Sequence, residues 1–451
     1  MTKHIFETVN VTDYVNTKYR EYSIYINNAR AIPSIVDGFK PVQRKAVYAA
    51  IKAAKNDYIK VSALGGIIVN EAAYHHGDTS AQEAIVKLAQ DFNNNVPYLD
   101  QDGTFGTRLS PTSGAPRYIF VKLSGRFYDI FNDNDILPYS LDLDDHPEPI
   151  HYLPVVPNVL LNGVSGIAIG FATEILPRSA STLANACIEY LQKGTVGELQ
   201  PYQEGFNGTF TYENGKYTCS GILTRKSQTK VIVEELPLGV THEKYQEHLI
   251  KLRERGVIVS FVDNSDSVYN FEITLPRKSN LSDSALEKEL KIHKVLSENI
   301  VVVDDFKKDE NTDPSKIAIR VYESPQNVLK DFVDFRLQYY QKRIDYNIQR
   351  SNNNISERES KIRFIEEVLS KKIKIGELTR AQLVKTLKDN KYPEDHIEKV
   401  ITMPMYNMTK DNIDKLEKEI EAIKNELLFW NKQTPKNLYI SDLKDIIKKY
   451  P

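Results

Sequence analysis

The chain has 451 residues, of which 41% are hydrophobic and 27% are charged, a composition typical of a globular protein. This length suits about three domains of ordinary size. The sequence contains no run of about 20 apolar residues, the length needed to span a bilayer. The formal net charge of −2 does not by itself indicate a nucleic-acid partner, and two cysteines are too few for a disulfide framework. Residues 1–25 are polar and contain acids, so we expect no leader peptide, no membrane contact and a reducing, cytoplasmic compartment.

The first 150 residues alternate short helical patterns with glycine-rich turns. Residues 11–29 predict a helix, which Pro33 would end. Two further helices are predicted, one beginning at Pro41 and one after Asp78–Ser80. Their apolar positions are Val47, Ile51 and Ala54 in the first, and Ile85, Leu88 and Phe92 in the second.

The segment from Lys40 to Lys60 contains six basic residues and one acid, Asp57. Two short helices in a basic segment fit a helix-turn-helix or winged-helix domain that binds DNA. An ordinary solvated helix face would account for the same charges, so both interpretations stay open.

Residues 151–325 have a mixed pattern. Asn214-Gly215 lies between two alternating runs and predicts a β-hairpin. Residues 231–233 predict a buried strand, and Thr241 is a candidate cap for a helix with an apolar face. That face consists of Tyr245, Leu249 and Leu252. This region is predicted to be an α/β domain, and its composition indicates no chemistry.

Beyond Pro325 the pattern is almost wholly helical. Apolar residues recur every seven positions in one stretch and at alternating spacings of three and four in another. They are Ile348, Ile355, Ile362 and Leu369, then Ile413, Leu416, Ile420, Ile423, Leu427 and Trp430. Two such stripes, about 40 residues apart, predict an antiparallel coiled coil with a small globular tip. A plain dimerisation stalk fits the same pattern.

Several enzyme classes can be tested against short motifs. The sequence has no nucleotide-binding P-loop, and residues 163–167 begin like a serine nucleophile elbow but end in isoleucine instead of glycine. The aspartates of 133–135 and 142–145 could bind a hard cation, but exposed aspartates are common in such turns. His75, His76 and Asp78 could bind zinc, although adjacent histidines rarely converge on one ion.

Four blocks of sequence, in order, carry a family resemblance. They are Arg30-Ala-Ile-Pro-Ser-Ile-Val-Asp-Gly-Phe-Lys-Pro-Val-Gln-Arg44; Tyr74-His-His-Gly-Asp78 with Ile85-Val-Lys-Leu-Ala-Gln90; Gly103-Thr-Phe-Gly-Thr-Arg-Leu109 with Pro116-Arg-Tyr-Ile-Phe120; and Asn162-Gly-Val-Ser-Gly-Ile-Ala-Ile-Gly170. Together they resemble the DNA-cleavage subunits of type IIA topoisomerases, the gyrase A-like family. The resemblance covers nearly the whole chain and is strongest from 28 to 178.

The resemblance implies a set of site residues. Tyr118 would attack the DNA backbone and store the broken bond as a phosphotyrosyl ester. Cationic groups would offset charge at the scissile phosphate, and His76 could also relay a proton. These groups are Arg117, Arg30, Lys40, Arg44 and His76, with Lys45 and Arg108 as further DNA-binding residues. Ile167 would wedge between base pairs. Thr79 and Glu83 match positions where quinolone-type drugs act on bacterial relatives.

The resemblance also implies an architecture and partners. The motif forms look eukaryotic, whereas the start at residue 1 and the end soon after the returning helix match the separate medium subunit of T-even-like phage topoisomerases. We expect an α+β homodimer that binds double-stranded DNA. Its parts would be an N-terminal arm (1–29), a winged-helix cleavage domain (30–150), an α/β tower (151–325), and a coiled coil with a C-gate (326–451). Mg²⁺ and ATP would be held by a separate large subunit, which the arm would contact.

Three alternatives stay open at this stage. Tyr118 could be a core aromatic in a strand, since the chain has 26 tyrosines. The protein could be a DNA-binding, dimeric scaffold without enzymatic activity. It could also be a metal-dependent nuclease that uses the aspartates between 133 and 145. Only the topoisomerase hypothesis predicts a covalent protein–DNA adduct.

Overall fold

The computed structural model describes residues 10–141, 147–277, 281–309, 311–312 and 317–450. Two compact units are distinguished: residues 1–336 with 440–451, and residues 337–439. The class is mixed α and β, as expected. The two units do not test the predicted division into four parts, which stays a prediction.

The N-terminal segment is helical, as predicted. It comprises α1 (Val11–Tyr14), a π-helical segment Val15–Tyr19, α2 (Arg20–Ile26) and a second π-helical segment Asn27–Ala31. The helix ends two residues before Pro33, whose ring cannot continue it.

Three helices and a three-stranded antiparallel sheet follow. The helices are α3 (Pro41–Ala53), α4 (Val61–Glu71) and α5 (Asp78–Ala89), and the strands are β1 (Ile59–Lys60), β2 (Leu99–Asp102) and β3 (Phe120–Leu123), in the order β1-β3-β2. The predicted helices at 41 and 78 are confirmed, but Phe92 lies beyond the end of α5. The intervening α4 was not predicted, because its centre is nearly continuous apolar sequence interrupted by Gly65-Gly66. A Cβ on Gly65 would lie 2.9 Å from Gln82 Cγ of α5, so the glycine permits the two helices to pack closely.

An aromatic core lies beneath these elements. Residues of α6 (Gly125–Ile130) contribute to this core. Along the chain, α6 is followed by a 3₁₀ turn (Asn134–Ile136), β4 (Tyr139–Leu141), β5 (Pro147–Pro149) and α7 (Asn158–Leu161). The core rings have neighbouring centroids between 4.8 and 6.4 Å apart. They belong to Phe39, Tyr98, Phe127, Phe131 and Tyr152, all buried. This packing fixes the segment after Pro33 against the body of the unit.

The α/β region begins with the hairpin β6 (Val164–Ile167) and β7 (Ala172–Ile175), followed by α8 (Ala180–Lys193). One sheet has the order β14-β9-β8, formed by β8 (Thr209–Glu213), β9 (Lys216–Ser220) and β14 (His293–Leu296). Another has the order β10-β11-β13-β12, formed by β10 (Ile222–Arg225), β11 (Lys230–Glu235), β12 (Ser260–Asp263) and β13 (Phe271–Thr274). A two-stranded ribbon joins β15 (Ile300–Asp304) to β16 (Ala318–Tyr322).

Most details predicted for this region are confirmed. Asn214 and Gly215 have φ of 52° and 78° and connect β8 to β9. The buried strand at 231–233 is part of β11, and α9 (His242–Glu254) buries the three predicted apolar residues beside α10 (Asp283–Glu289). Thr241 occupies the N-cap position of α9, but its side chain makes no capping hydrogen bond, so the predicted cap is wrong in that respect.

The last part of the chain is helical, as predicted. It contains α11 (Pro325–Leu369), α12 (Arg380–Asp389), α13 (Glu394–Ile401), α14 (Lys410–Lys432) and α15 (Pro435–Lys449), with 3₁₀ turns at Ile375–Glu377 and Met405–Asn407. Ion pairs join Arg350 to Glu426 and Arg358 to Glu419, so α11 and α14 run antiparallel. Across the described residues, no helix combines the length and apolar character needed to cross a membrane.

Candidate active site

Tyr118 lies in a turn immediately before β3, the central strand of its sheet. Its backbone N–H donates to Ala115 O at 2.9 Å, and the flanking residues are fixed by hydrogen bonds from Ser62 N to Pro116 O and from Val61 N to Ile119 O. The next residue, Ile119, is buried, whereas Tyr118 is 68% exposed. The backbone is therefore anchored while the phenol projects into solvent. This exposure overturns the alternative in which Tyr118 is a core aromatic.

The guanidinium of Arg117 lies beside this phenol. Its guanidinium carbon lies 4.9 Å from the centroid of the Tyr118 ring, within the range of a cation–π contact. Arg117 is itself exposed. An exposed nucleophile-type side chain beside an exposed guanidinium forms a surface that could receive an anion.

The segment from Arg30 to Arg44 combines exposed and buried charges. Arg30 is exposed at the end of the N-terminal helix. Asp37 is buried, and its carboxylate accepts two hydrogen bonds from Arg44, at 2.6 and 3.0 Å. It also accepts the backbone N–H groups of Phe39 and Tyr152. Asp37 therefore fixes the loop and holds Arg44 within it.

This pairing sets the charge of Arg44. Burial by itself would lower the pKa of the guanidinium, but the Asp37 carboxylate, with Asp305 and Glu148 behind it, outweighs burial and raises the pKa. Arg44 is therefore a permanent cation, and both its charge and two of its hydrogen bonds are directed to Asp37. These contacts make Arg44 a support of the loop, and its contact with phosphate stays a prediction.

His76 lies close to the end of the N-terminal helix. Its Nε2 is 3.1 Å from the Tyr25 hydroxyl, and its ring packs edge-on against Tyr74 with centroids 5.3 Å apart. Burial lowers the pKa of His76, and the positive charge of Arg30, with a smaller effect of His75, lowers it further. The imidazole is thus held in its neutral form near pH 7, in which one ring nitrogen can accept a proton.

Lys40 connects the first motif to the hairpin of β6 and β7. Its Nζ donates to Ser165 O at 2.7 Å. Burial lowers the pKa of this ammonium, and the charge of Lys87 on α5 adds to the effect. Ile167, at the end of β6, is 92% exposed. Because Lys40 holds the hairpin while the Ile167 side chain is exposed, this isoleucine is suited to insertion between apolar surfaces.

Two of the proposed DNA-binding residues have protein partners. Lys45 donates to Glu148 at 2.6 Å and to Ala72 O. Arg108 forms a bidentate pair with Glu235, at 2.6 and 3.0 Å, and its guanidinium lies over the rings of Phe206 and Tyr269. DNA binding by Lys45 and Arg108 stays a prediction and would require these ion pairs to open. Thr79 and Glu83 are exposed on α5, one turn apart.

Six of the predicted residues fall into two groups. Arg30, Lys40, His76 and Ile167 lie around the end of the N-terminal helix and the β6–β7 hairpin. Tyr118 and Arg117 form the second group. Within the described part of the chain, no hydrogen bond, ion pair or ring contact joins the side chains of the two groups.

Other chemistries receive no support from the geometry. Ser165 lies within strand β6, not at the strand-to-helix turn of a hydrolase. Asp133 is buried and paired with Arg336 at 2.6 Å, and residues 142–145 lie outside the described residues. Among the residues that the structure does describe, no group of three or more His, Cys, Asp or Glu side chains could hold a metal ion.

Several supporting residues were given no role from the sequence, although Asp37 lies within the first motif. Asp37 pairs with a residue seven positions away, whereas Glu235 and Asp305 meet their partners from more than 100 positions away. Tyr25 and Asn27, on a helix of ordinary composition, reach the site only through the tertiary fold. Short motifs identify groups that meet a ligand more readily than the groups that hold them.

Comparisons with known proteins agree on one family. The family model that describes the A-type subunits of DNA gyrase and topoisomerase IV matches residues 30–446. The DNA topoisomerase medium subunit of enterobacteria phage T4 is 33% identical over 434 residues, covering 94% of this chain and 96% of that protein. The mitochondrial DNA topoisomerase 2 of Dictyostelium discoideum is 30% identical, covering 99% of this chain but 36% of the relative.

A solved structure agrees with these matches. The DNA-binding, cleavage and re-ligation domain of Plasmodium falciparum topoisomerase II superposes with a TM-score of 0.87 at 26% identity, covering 97% of this chain and 64% of that one. The chain thus spans nearly all of the phage protein and about a third of the Dictyostelium enzyme.

Proposed function

Because this chain belongs to the family of the A-type subunits of DNA gyrase and topoisomerase IV, and is accordingly the DNA-cleavage subunit of a type II topoisomerase, we propose that Tyr118 is its nucleophile. The observation that carries the proposal is the exposed Tyr118 phenol beside the exposed Arg117 guanidinium, on a backbone anchored to a central strand. The same surroundings would not be expected of a tyrosine that serves only in packing.

The chemistry follows from the phenol. The Tyr118 hydroxyl would lose its proton as its oxygen attacks a backbone phosphorus. A P–O bond to tyrosine forms and the bond to the 3′ oxygen breaks, and this oxygen takes up a proton and leaves as a hydroxyl. The phosphotyrosyl ester holds the 5′ end and is similar in energy to the bond it replaces, so the 3′ hydroxyl can reverse the step. Two subunits would cut opposite strands, and a second duplex would pass before resealing. Relaxation or decatenation would result.

Cations would lower the barrier to this step. Arg117 would lie beside the phosphate, where a positive group offsets the charge that develops in the transition state. Arg30, Lys40 and His76, in the first group, would contribute when bound DNA contacts both groups. Arg44 would fix the loop that follows Arg30. Neutral His76 could accept or relay a proton. Lys45 and Arg108 would add phosphate contacts only if released from their carboxylates.

Ile167 would act on the same duplex as a wedge. Its exposure at the end of β6 supports insertion between base pairs, which unstacks one step and bends DNA. Thr79 and Glu83, exposed on α5, remain candidates for drug contacts. No observation favours the scaffold or nuclease alternative over this assignment.

We also infer the finer architecture. Helices α3–α5 with the sheet β1-β3-β2 support a winged-helix domain over 30–150, and the sheets between 151 and 325 support the tower. The antiparallel pairing of α11 with α14 supports the coiled coil of 326–451. Met405 and Tyr406, both exposed at the tip, suit a homodimer gate.

Mg²⁺ and ATP are expected on a large partner subunit, and no step on this chain is assigned to either. The described residues hold no metal-ligating cluster to receive the ion. The N-terminal helix presents Tyr14, Tyr19 and Tyr22 to solvent, which supports the role of residues 1–29 as an arm that contacts this partner. Residues 1–9 lie outside the described residues. The expected compartment is the cytoplasm, that of the host if the chain is phage-encoded.

The test is to trap the covalent complex. The chain would be combined with its large subunit, Mg²⁺ and duplex DNA labelled at the 5′ or the 3′ end, and then quenched with detergent. In wild type, the DNA fragment whose 5′ end was created by the break should stay covalently attached to the protein. Tyr118→Phe should form no adduct while binding DNA normally.

A matched control is Tyr58→Phe, which removes the hydroxyl of another exposed tyrosine in the same region. It should form the adduct as wild type does. An equal adduct in Tyr118→Phe would mean that another residue attacks. Tight DNA binding without any adduct in wild type would favour the scaffold, and breaks without adduct would favour a nuclease.

A further inference from the structure

The hairpin that carries Ile167 is held by one buried side chain of the N-terminal helix. We define the wedge hairpin as β6, β7 and the connecting turn 168–171. Asn27, which is 4% exposed, accepts a hydrogen bond from Ile169 N at its Oδ1 (2.9 Å). Its Nδ2 donates to Ile169 O at 3.1 Å. The backbone N–H and C=O of Ile169 are thus both hydrogen-bonded to the side-chain amide of Asn27.

This two-point contact is geometrically specific. A planar amide that donates and accepts toward the same residue resembles the pairing of one strand with another, and it resists both sliding and rotation of the turn. Because the Asn27 side chain is buried, water cannot readily replace its bonds. Ile169 lies two positions after Ile167, so the contact is close to the wedge without touching it.

Other contacts hold the two strands. In β7, Glu174 exchanges two backbone hydrogen bonds of 2.9 Å with Asn299, and β6 packs on the N-terminal segment. A Cβ on Gly166 would lie 2.4 Å from Ala31 O, so the backbone of β6 packs directly on the end of the N-terminal helix. Lys40 donates to Ser165 O. Ile167 stands free beyond these contacts. An isolated two-stranded hairpin is marginally stable in water, and unstacking base pairs opposes insertion of a wedge, so the hairpin needs an external support.

We propose that Asn27 is a positioning residue for the DNA wedge: it fixes the turn of the hairpin so that Ile167 can insert into and bend the DNA duplex that is cleaved. The inference rests on the proposed function, in particular on Ile167 as the wedge. It adds a residue of the N-terminal helix to the DNA-bending machinery, and this residue need not contact DNA. The helix that presents a face for the partner subunit would thereby also set the position of the wedge.

DNA bending measures this role directly. The enzyme, reconstituted from this chain and its large subunit with Mg²⁺, would be mixed with a duplex that carries a donor and an acceptor dye at its two ends. Energy transfer reports the bend, and fluorescence anisotropy reports binding separately. Asn27→Ala should lower the bent fraction several-fold and reduce double-strand cleavage about ten-fold, with affinity changed by less than about three-fold.

Two comparisons separate positioning from a general loss of structure. Asn28→Ala removes the neighbouring amide, which donates to Ile317 O instead of the hairpin, and it should bend DNA as wild type does. Asn27→Asp keeps the size and the acceptor but loses the donor and turns a carboxylate oxygen toward Ile169 O. It should bend DNA poorly even if Asn27→Ala fails to fold.

The wedge variant distinguishes the two hypotheses. Ile167→Ala should abolish bending, and adding Asn27→Ala to it should cause no further loss, because Asn27 acts through Ile167. Normal bending by Ile167→Ala would refute the wedge assignment within the proposed function. If Ile167→Ala loses bending whereas Asn27→Asp and Asn27→Ala retain it, or if Asn28→Ala loses as much as Asn27→Ala, the inference about Asn27 is wrong.

Discussion

Two regions of the candidate site carry charges in opposite surroundings. At the surface, Arg117 lies beside exposed Tyr118, and Arg30 is exposed next to His76. Beneath the surface, Asp37 pairs with Arg44 on a layer that also contains Asp305. Arg30 and Arg44 belong to the same stretch of 15 residues in the sequence. The two arginines of one motif therefore differ in their surroundings: Arg30 is exposed to solvent, whereas Arg44 pairs with Asp37 and holds the loop.

The comparison separates two kinds of variant. Changing a surface cation should impair chemistry while leaving folding intact, because the side chain has solvent around it and few protein contacts. Breaking the Asp37–Arg44 pair in the buried layer should lower the free energy of unfolding, because an ion left there without its partner cannot be fully hydrated. The following substitutions test this division, in order of decreasing effect.

Asp37→Asn should destabilise the protein more than any other variant considered. The substitution keeps the shape of the side chain but removes the buried charge that pairs with Arg44, whose side chain is only 12% exposed, and this loss costs about 3–5 kcal/mol. The measurement is urea unfolding, followed by a probe within residues 1–336. Asp57→Asn, on an exposed carboxylate, is the control and should change the free energy of unfolding by less than about 0.5 kcal/mol. Equal stability of the Asp37 variant and wild type would contradict the division.

Arg117→Ala is the complementary variant. Loss of one cation at the reacting phosphate should slow DNA cleavage by about 10²–10³-fold, while the unfolding transition stays where it is in wild type. The measurement is the rate of covalent complex formation under single-turnover conditions. Arg126→Ala, which removes an exposed arginine of α6, should cleave at the normal rate. A similar loss in both variants would indicate a diffuse electrostatic effect.

Asp305 gives the buried layer a dependence on pH. Burial, together with the Asp37 charge and against the opposing effects of Arg44 and of the Ser34 hydroxyl, raises the pKa of Asp305 from 3.8 to about 6. Folding therefore takes up a proton between these values. The free energy of unfolding should fall as pH rises from about 4 to about 6, by at most about 3 kcal/mol, and this contribution should stay constant at higher pH.

Asp305→Asn tests this dependence. The variant should lack that fall, so it should match wild type near pH 4 and exceed it in stability above pH 6. The measurement is urea unfolding across this pH range. Parallel curves for wild type and variant would show that Asp305 does not titrate there.

Lys45→Met should have the smallest effect and sharpens the boundary between the regions. Because Lys45 is paired with Glu148, the variant should leave DNA affinity nearly unchanged and the slope of log affinity against log salt the same as in wild type. Arg30→Met, at an exposed cation, should lower that slope by about one. If Lys45→Met lowers the slope equally, the ion pair opens on DNA and Lys45 belongs with the surface group.

Local sequence was enough to predict the helices with clear periodicity, the hairpin at Asn214-Gly215, the family and the residues that meet DNA in the proposed function. These features are local in origin: a helix face depends on spacing, a tight turn on glycine at positive φ, and a motif on neighbouring residues. Helix α4 was not predicted because Gly65-Gly66 disfavours a helix locally. The close packing of Gln82 on Gly65, which favours the first glycine, is a tertiary contact.

Which charges are free and which are paired depends instead on the tertiary fold. Nothing in the local sequence distinguishes Arg108 from Arg117, yet Glu235, 127 positions away, binds the first, whereas the second stands beside Tyr118 in solvent. In the same way Asn27 meets Ile169 across 142 positions. Such pairings depend on which segments the folded core brings within about 3 Å of each other, because hydrogen bonds and close ion pairs act only over that range.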